Sequence, residues 1–184
     1  MSGRIEVITG GMFSGKSEEL VRRLRRATYA RKSVLAVKHA TDDRYHPTSI
    51  GSHSGALFDA QAVSSLSDLG DALKGVEVLG IDEAQFFGPE ITTFCEKAAT
   101  TGIRVIVAGL DLYADGRPFG QMSELLSLAE DVTKLHAICM VCGLEASRTY
   151  YKGTQTNKIE VGVGQYEARC RECWALQDIQ KGIV

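Results

Sequence analysis

Short, almost entirely apolar stretches recur along the chain and alternate with amphipathic segments. The apolar stretches cover residues 5–9, 33–37, 76–81 and 104–110, and each has the length of a buried strand. The amphipathic segments cover 18–30, 66–73, 89–100 and 122–129, where apolar residues recur at helical spacing. Apolar strands that alternate with helices predict an α/β fold, in which a parallel sheet is flanked by helices on both faces.

Two regions depart from this alternation. Residues 39–58 are polar and contain Pro47, Gly51 and Gly55, a composition typical of a functional loop. From His136 onward, cysteine pairs, tyrosines and glycines replace the apolar stretches. We therefore predict an α/β domain over 1–135, a smaller subdomain over 136–176 and a loose C-terminal tail over 177–184.

The first predicted strand runs into a glycine-rich segment, GGMFSGKS, which fits the pattern G-x-x-x-x-G-K-[ST]. In this pattern backbone N–H groups cradle phosphates, the lysine neutralises their oxygens and the hydroxyl ligates Mg²⁺. A chance match in a glycine turn is the alternative, but the strand before and the helix after are the context that a phosphate loop requires. We predict that the phosphates of a nucleotide bind along this loop, which consists of Gly10, Gly11, Met12, Phe13, Ser14, Gly15, Lys16 and Ser17.

Two acidic residues, Asp82 and Glu83, directly follow the third predicted strand. The carboxyl edge of a parallel sheet is where such folds hold a magnesium carboxylate. Side chains of adjacent residues diverge, so we assign Asp82 with Ser17 to Mg²⁺ and Glu83 to a general base that faces an acceptor. A helix N-cap is the alternative for Asp82, but it accounts poorly for two acids in a row.

Four cysteines form two C-x-x-C pairs, Cys139 with Cys142 and Cys170 with Cys173. Two such pairs are a strong signal for a structural Zn²⁺ held by four thiolates, and a redox pair or four buried thiols is the alternative. The 27 residues between the pairs, 143 to 169, exceed the spacing of a short zinc ribbon. We therefore expect zinc to tie the base of a long loop, which acts as a lid over a small polar ring or forms a hairpin with surface aromatics.

Composition narrows the functional classes. The chain has 184 residues, 44% of them hydrophobic and 24% charged, and a net charge of −2, so a general nucleic-acid-binding surface is not favoured. Apolar runs stay far below the roughly 20 residues that span a bilayer, and the first residues lack signal-peptide features. We expect a cytoplasmic protein without a membrane partner, whose cysteines are not in disulfides.

Several segments, taken in order, resemble the type II thymidine kinase family, the cytosolic and bacterial thymidine kinases. They are GGMFSGKS, DDRY at 42–45, DEAQF at 82–86, GLD and RPFG within 109–120, the two C-x-x-C pairs, and Val161 and Gly162 with Tyr166. The resemblance covers about residues 4 to 174. It implies ATP- and Mg²⁺-dependent transfer of the γ-phosphate to the 5′-hydroxyl of thymidine or deoxyuridine, a zinc-anchored lasso loop, a homotetramer and feedback by dTTP.

The resemblance also implies roles for individual residues. Glu83 is the implied base, Lys16 and Arg44 stabilise the transferred phosphate, and Asp42 lies near the phosphates and the metal. Ala84 and Gln85 are implied at the nucleotide site. The thymine pocket is implied to contain Met12, Phe86, Leu110, Phe119 and Thr149, with Val161, Gly162, Val163 and Tyr166 in the lasso.

The sequence departs from the family pattern after GLD, where many members have an aromatic residue and this chain has Ala114. Either Tyr113 swings into the pocket or the pocket is roomier there.

Two other functions stay open at this point. One is an ATPase whose zinc segment binds nucleic acid, although Glu145, Glu160, Glu167 and Glu172 make that segment a poor phosphate-binding surface. The other is a phosphate-loop switch without a small acceptor.

Overall fold

The computed structural model describes residues 3–42, 48–51, 55, 57–153 and 163–180. The strands, in chain order, are β1 (Arg4–Thr9), β2 (Val34–His39), β3 (Ser49–Gly51), β4 (Leu57–Asp59), β5 (Gln61–Val63), β6 (Val78–Asp82), β7 (Arg104–Gly109), β8 (Asp131–Lys134), β9 (Ala137–Ile138), β10 (Glu145–Ala146), β11 (Arg148–Tyr151) and β12 (Tyr166–Arg169). The α-helices are α1 (Lys16–Tyr29), α2 (Glu90–Thr100), α3 (Met122–Leu128) and α4 (Arg171–Gln180). Short 3₁₀ helices lie at Leu66–Leu73, Ala84–Phe86 and Val163–Gln165.

Six strands form one sheet in the order β5-β2-β6-β7-β1-β8. Every neighbouring pair in it is parallel, which confirms the predicted α/β fold. The apolar stripe of α1, with Leu20 and Leu24, packs on one face of the sheet. Helices α2 and α3 cover the other face through Ile91 and Met122.

Helix α1 approaches the sheet closely at Gly80 of β6. A Cβ at that position would lie 2.8 Å from the side chain of Leu24, so a larger residue there would force Leu24 to move. The helix begins directly after Gly15. Its charged residues interact favourably with the helix dipole, because Glu18 and Glu19 lie in the first turn and Arg26 lies in the last. Its amino terminus therefore lies close to the carboxyl end of β1, at one edge of the sheet.

The carboxyl ends of β1, β6 and β7 meet at that same edge. The glycine-rich loop follows β1, Asp82 ends β6, and Leu110 follows β7. Parallel sheets of this type bind ligands in the crevice outside these strand ends. The fold thus brings three sequence motifs, which are far apart in the chain, to one place.

The second part of the chain consists of two antiparallel strand pairs and a helix. β9 pairs with β10, β11 pairs with β12, and α4 follows the second pair. A small core of alanines and cysteines holds these elements together, and Phe13 of the glycine-rich loop packs against it. This contact seats the second part directly on the phosphate loop.

The structure differs from the sequence predictions at three places in the α/β domain. The polar region 39–58 contains the antiparallel pair β3–β4, because Ile50 and Phe58 reach the core beside α1. Strands β5 and β8 were not predicted, since edge strands with polar, exposed residues carry no apolar run. The segment 66–73 is a 3₁₀ helix broken at Gly70.

Helix α4 continues to Gln180, so the first part of the predicted tail is helical rather than loose. The helix starts at the second cysteine pair, where the Trp174 N–H donates to the Cys170 carbonyl over 3.0 Å. Residues 181–184 lie outside the described residues. Among the described helices, the combination of length and apolar character that membrane crossing requires does not occur.

Candidate active site and metal cluster

The glycine-rich loop is shaped by its glycines and by its own side chains. Gly10 has φ 143°, and a Cβ there would lie 2.2 Å from the Leu135 carbonyl oxygen, so another residue would not fit. The Lys16 ammonium donates to the Gly11 carbonyl over 2.7 Å, and the Ser14 hydroxyl donates to the same oxygen over 2.8 Å. A loop followed at once by the amino end of α1 is a ready anion site.

Ser17 and Asp82, the two predicted magnesium ligands, lie together. The Ser17 hydroxyl hydrogen-bonds to the Asp82 carboxylate, which is buried. Burial, together with the nearby charges of Glu83 and Asp42, raises the pKa of Asp82 to about 7, although the hydrogen bonds from Ser17 and from the Glu83 N–H act in the opposite direction. A hydroxyl and a crowded carboxylate are oxygen donors that suit Mg²⁺.

Glu83 is held in an unusual backbone conformation at the end of β6. Its φ of 52° and ψ of 41° place it in the left-handed region, which costs a residue other than glycine about 1–3 kcal/mol. Its N–H donates to Asp82 Oδ1 over 3.0 Å, so the two acidic residues are joined in one tight turn. The assignment of the two carboxylates to different roles stays a prediction.

Gln85 connects Glu83 to the neighbouring strand. Its amide Nε2 donates to Glu83 Oε2, and its Oε1 accepts the backbone N–H of Leu110 over 3.0 Å. All three groups lie at the end of β6 and β7, and Gln85 is buried. The structure gives Gln85 a contact with the predicted base, whereas the sequence predicted a nucleotide contact for it.

Asp42 lies beside a buried lysine that the sequence reasoning missed. Lys38 of β2 is 1% exposed, and its Nζ lies 3.8 Å from Asp42 Oδ2. A buried lysine needs an anionic partner, because an unpaired charge would be costly there. Lysine at an inward position of an apolar strand is the signal that could have identified it. Arg44, predicted next to Asp42, lies outside the described residues.

Aromatic rings form a wall next to these carboxylates. Phe86 and Phe119 meet edge to face with centroids 6.1 Å apart, and Tyr113 stacks on Phe119 with centroids 3.7 Å apart. Tyr113 therefore extends the aromatic surface at the position next to Ala114, while its entry into an acceptor pocket stays a prediction. Because Leu110 is tied to Gln85, the predicted pocket residues of the GLD and RPFG segments adjoin Glu83.

The second part of the chain contributes Thr149 to the phosphate loop. Thr149 Oγ1 accepts the Met12 N–H over 3.0 Å, and a Cβ at Gly11 would lie 3.3 Å from the same oxygen. Tyr166 packs on Tyr151 with ring centroids 5.2 Å apart. Val163 begins a 3₁₀ helix, while Val161 and Gly162 lie outside the described residues.

The four cysteines converge into one cluster, and their Sγ atoms all lie within 4.8 Å of one another. The Cys142 and Cys170 sulfurs are 3.7 Å apart, close to the ~3.8 Å that a tetrahedral zinc with Zn–S bonds of about 2.3 Å requires. Burial raises the pKa of Cys139, but backbone N–H groups of Cys170, Cys142 and Val141 outweigh it and lower this pKa to about 6. The thiol set therefore fits a zinc ion.

Two further residues of the site carried no sequence signal. Lys134, at the end of β8, lies 2.7 Å from the carboxylate of buried Asp111 and ties the GLD segment to the outer strand. Trp174, directly after the last cysteine, donates through Nε1 to the Ala114 carbonyl over 3.0 Å. Each contact joins residues separated by tens of positions, so no local pattern could reveal it.

A glycine-rich loop that ends in Lys-Ser, an acid pair at the adjacent strand end and an aromatic wall are typical of a nucleotide-dependent phosphotransferase. Comparisons with known proteins agree with this class. A model of the thymidine kinase family, described as "Thymidine kinase", matches residues 3–174. The chain is 52% identical over 158 residues to a thymidine kinase from Deinococcus radiodurans, and the match covers 80% of this chain and 74% of that protein.

The chain belongs to the thymidine kinase family. Membership makes it a kinase of the class EC 2.7.1.21. Among solved structures, domain III of the Thermotoga maritima replication initiation protein DnaA is 14% identical, with a TM-score of 0.46, and the match covers 71% of this chain and 54% of that one. A likeness at that level has no bearing on function.

Proposed function

We propose that the chain transfers the γ-phosphate of ATP to the 5′-hydroxyl of thymidine, and also of deoxyuridine, in a Mg²⁺-dependent reaction that yields the nucleoside monophosphate and ADP. One observation carries the proposal. The phosphate loop, the Ser17–Asp82 pair, Glu83 and the Phe86–Phe119 wall lie at a single sheet edge in a chain of the thymidine kinase family.

The phosphate loop is proposed to bind the donor. Backbone N–H groups of residues 10–17 and the amino end of α1 face the phosphate oxygens, and Lys16 exchanges the Gly11 carbonyl for a phosphate oxygen. Ser17 and Asp82 would hold Mg²⁺, which supplies charge neutralisation for the phosphates. Asp42, and by resemblance Arg44, complete the polar surroundings of the phosphates, and Ala84 lies in the turn between the two sites.

Glu83 is proposed as the general base. It accepts the proton of the 5′-hydroxyl as the new bond forms between the 5′-oxygen and the γ-phosphorus, and the bond from that phosphorus to the β,γ-bridging oxygen breaks. ADP departs with the electron pair of the broken bond. Phosphoryl transfer depends mainly on positioning and charge stabilisation, so the fixed turn at Asp82–Glu83 and the Gln85 hydrogen bond are suited to this role.

The aromatic wall is proposed to hold the thymine ring. Phe86, Phe119 and Tyr113 offer flat apolar surface, and base–aromatic stacking is worth about 1–3 kcal/mol. Met12, Leu110 and Thr149 are proposed to border the same space. The lasso residues Val161, Gly162, Val163 and Tyr166 are proposed to meet the base with backbone groups, which would reject rings with the wrong donors because buried groups would stay unpaired.

The cysteine cluster is proposed to bind a structural zinc. Its four thiolates leave no ligand position for a substrate, and the chemistry that zinc supplies there is cross-linking of the 143–169 insert. Homotetramer formation, inhibition by dTTP, a cytoplasmic location and the lack of a nucleic-acid partner remain predictions. The first two are inherited from the family resemblance and the last two from the composition of the sequence.

The position of the new phosphate tests the proposal. Thymidine and its 5′-deoxy analogue, which lacks the acceptor hydroxyl, are each incubated with ATP and Mg²⁺, and the products are separated and assigned by phosphorus NMR. A 5′-monophosphate from thymidine, with no product from the analogue, is expected. Phosphate on the 3′-oxygen, or equal ADP formation with both compounds, would contradict the assigned reaction.

A further inference from the structure

Trp174 joins the helix after the cysteines to a loop of the α/β domain. Its indole Nε1 donates to the Ala114 carbonyl over 3.0 Å. A Cβ at Gly116, where φ is 83°, would lie 3.1 Å from the indole ring. The loop thus approaches the indole at a position that glycine alone satisfies, and the contact combines a hydrogen bond with close packing.

The loop that Trp174 holds is a compact unit. The Tyr113 N–H donates to the Arg117 carbonyl over 2.9 Å, and the Phe119 N–H donates to the Asp111 carbonyl over 2.9 Å. Leu112 and Pro118 form an antiparallel bridge between its two sides. A displacement at Ala114 would therefore move the stacked Tyr113 and Phe119 rings, which form one side of the aromatic wall.

The other end of the contact rests on the metal cluster. The Trp174 N–H donates to the Cys170 carbonyl over 3.0 Å, and the Cys173 N–H donates to Cys170 Sγ over 3.3 Å. Cys170 in turn lies beside Cys142 across the cluster. The first turn of α4, which carries Trp174, is thereby fixed in position by the cysteines.

We propose that Trp174 is a positioning residue that couples the cysteine cluster to the acceptor pocket. With the metal bound, the first turn of α4 is rigid and Trp174 holds the 111–120 loop so that the Tyr113–Phe119 stack stands at the edge of the pocket. Metal loss frees the turn and loosens the loop. The inference rests on the proposed function, because that function identifies the acceptor. The contact between Trp174 and Ala114 is independent of it.

Intrinsic fluorescence tests the coupling directly, because Trp174 is the single tryptophan of the chain. Removal of the metal by a chelator should shift the emission to longer wavelength as the indole gains water, and added zinc should reverse the shift. Backbone amides at Tyr113, Gly116 and Phe119 should exchange hydrogen faster in the same sample. Unchanged emission and unchanged exchange after complete metal removal, verified by metal analysis, would overturn the proposal.

Two variants test the consequence for the acceptor in the metal-loaded protein. Trp174→Phe removes the indole donor and keeps an aromatic ring, whereas Trp174→Ala removes both. Loss of one hydrogen bond predicts a rise of roughly two- to tenfold in KM for thymidine in the first variant and a larger rise in the second, with KM for ATP unchanged. Leu176→Ala, at an exposed position of the same helix, is the matched control and should match the wild type.

The outcomes separate this inference from the proposed function. Equal changes in KM for thymidine and ATP, or no change in the Trp174→Ala variant, would overturn the positioning role. A protein that phosphorylates no nucleoside but shows metal-dependent emission and loop exchange would keep the coupling and refute the assigned acceptor. Zinc content equal to the wild type in both variants would establish that the kinetic effects arise from the contact.

Discussion

Gln85 holds the Glu83 carboxylate in place: its amide nitrogen donates to Glu83 Oε2 while its amide oxygen accepts the Leu110 N–H. The orientation of the amide is fixed by these two partners, since the oxygen must face the N–H and the nitrogen must face the carboxylate. Glu83 is therefore tied to two adjacent strands. A base that must meet a hydroxyl at hydrogen-bond distance benefits from such a fixed direction.

Replacement of Gln85 by leucine should lower kcat by roughly 10- to 100-fold, because a misplaced catalytic group can cost that much. KM for ATP should change little, since the phosphate loop is not altered. Steady-state kinetics at saturating ATP provides the measurement. Gln61→Leu, at an exposed position of the edge strand β5, is the control. A Gln85→Leu enzyme with normal kcat and a raised KM for ATP would instead support the nucleotide contact predicted from the sequence.

The Glu83→Gln variant should bind ATP normally and turn over roughly 10²-fold more slowly or worse, because the amide does not accept the hydroxyl proton. Binding is measured by titration with a non-hydrolysable ATP analogue, and turnover by ADP release. Glu96→Gln changes an exposed acid of α2 and should leave both quantities unaltered. Wild-type turnover in Glu83→Gln would remove Glu83 from the role of base.

Metal removal should release about one zinc ion per chain and weaken thymidine binding, because the four thiolates tie the base of the 143–169 insert. Elemental analysis and thymidine titration before and after chelation measure the two effects. Cys142→Ser should reproduce the loss of zinc, whereas Cys95→Ser lies in the core away from the cluster and should keep the metal. Thymidine affinity that survives complete zinc loss would contradict the anchored lid.

Glu6 should stabilise the fold in a pH-dependent manner. Burial would raise its pKa, but hydrogen bonds and charge from Arg104, with help from Arg23 and Arg4, lower it from 4.5 to about 2. A depressed pKa in the folded state stabilises the protein above the unfolded pKa, and this contribution is lost as pH falls from about 4.5 to about 2. At 1.36 kcal/mol per pKa unit, the contribution at neutral pH is about 3 kcal/mol.

The difference in unfolding free energy between the wild type and Glu6→Gln, measured by urea denaturation, should therefore be about 3 kcal/mol at pH 7 and shrink steadily below pH 4.5. Acid also removes the stabilising contributions of other carboxylates, but it does so in both proteins. These contributions therefore cancel in the difference between the two unfolding free energies. Glu130→Gln is a useful comparison, because among the described hydrogen bonds Glu130 Oε2 accepts only the N–H of Ile5, the neighbour of Glu6 in β1. A Glu6→Gln difference that stays constant with pH would contradict the lowered pKa.

The sequence predicted the parallel sheet and the meeting of its motifs, because apolar strand runs and strand-terminal motifs are local signals. Ser17 and Asp82 are 65 positions apart, yet each follows from its own motif and from the rule that parallel strands end at one edge. The four cysteines were equally predictable, since C-x-x-C spacing needs no knowledge of the fold. These predictions depend on local sequence motifs and on the topology of the backbone, not on contacts between side chains.

Contacts between side chains from different elements could not be predicted in this way. No local pattern indicates that Tyr113 stacks on Phe119, that Lys38 is buried beside Asp42, or that Trp174 reaches Ala114. The left-handed backbone at Glu83 was equally hidden, because only the surrounding structure makes such a conformation tolerable. Strand β8 escaped prediction because an exposed edge strand needs no apolar pattern.

Nucleoside-dependent consumption of Mg·ATP tests the central claim most directly. The wild-type chain is given thymidine, deoxyuridine, deoxycytidine, deoxyadenosine or no acceptor, and ADP and the nucleoside monophosphate are both quantified. We predict equal amounts of ADP and monophosphate with thymidine and deoxyuridine, and background ADP in the other samples. ADP formation at the same rate in every sample, without any monophosphate, would contradict the account and identify an ATPase without a nucleoside acceptor.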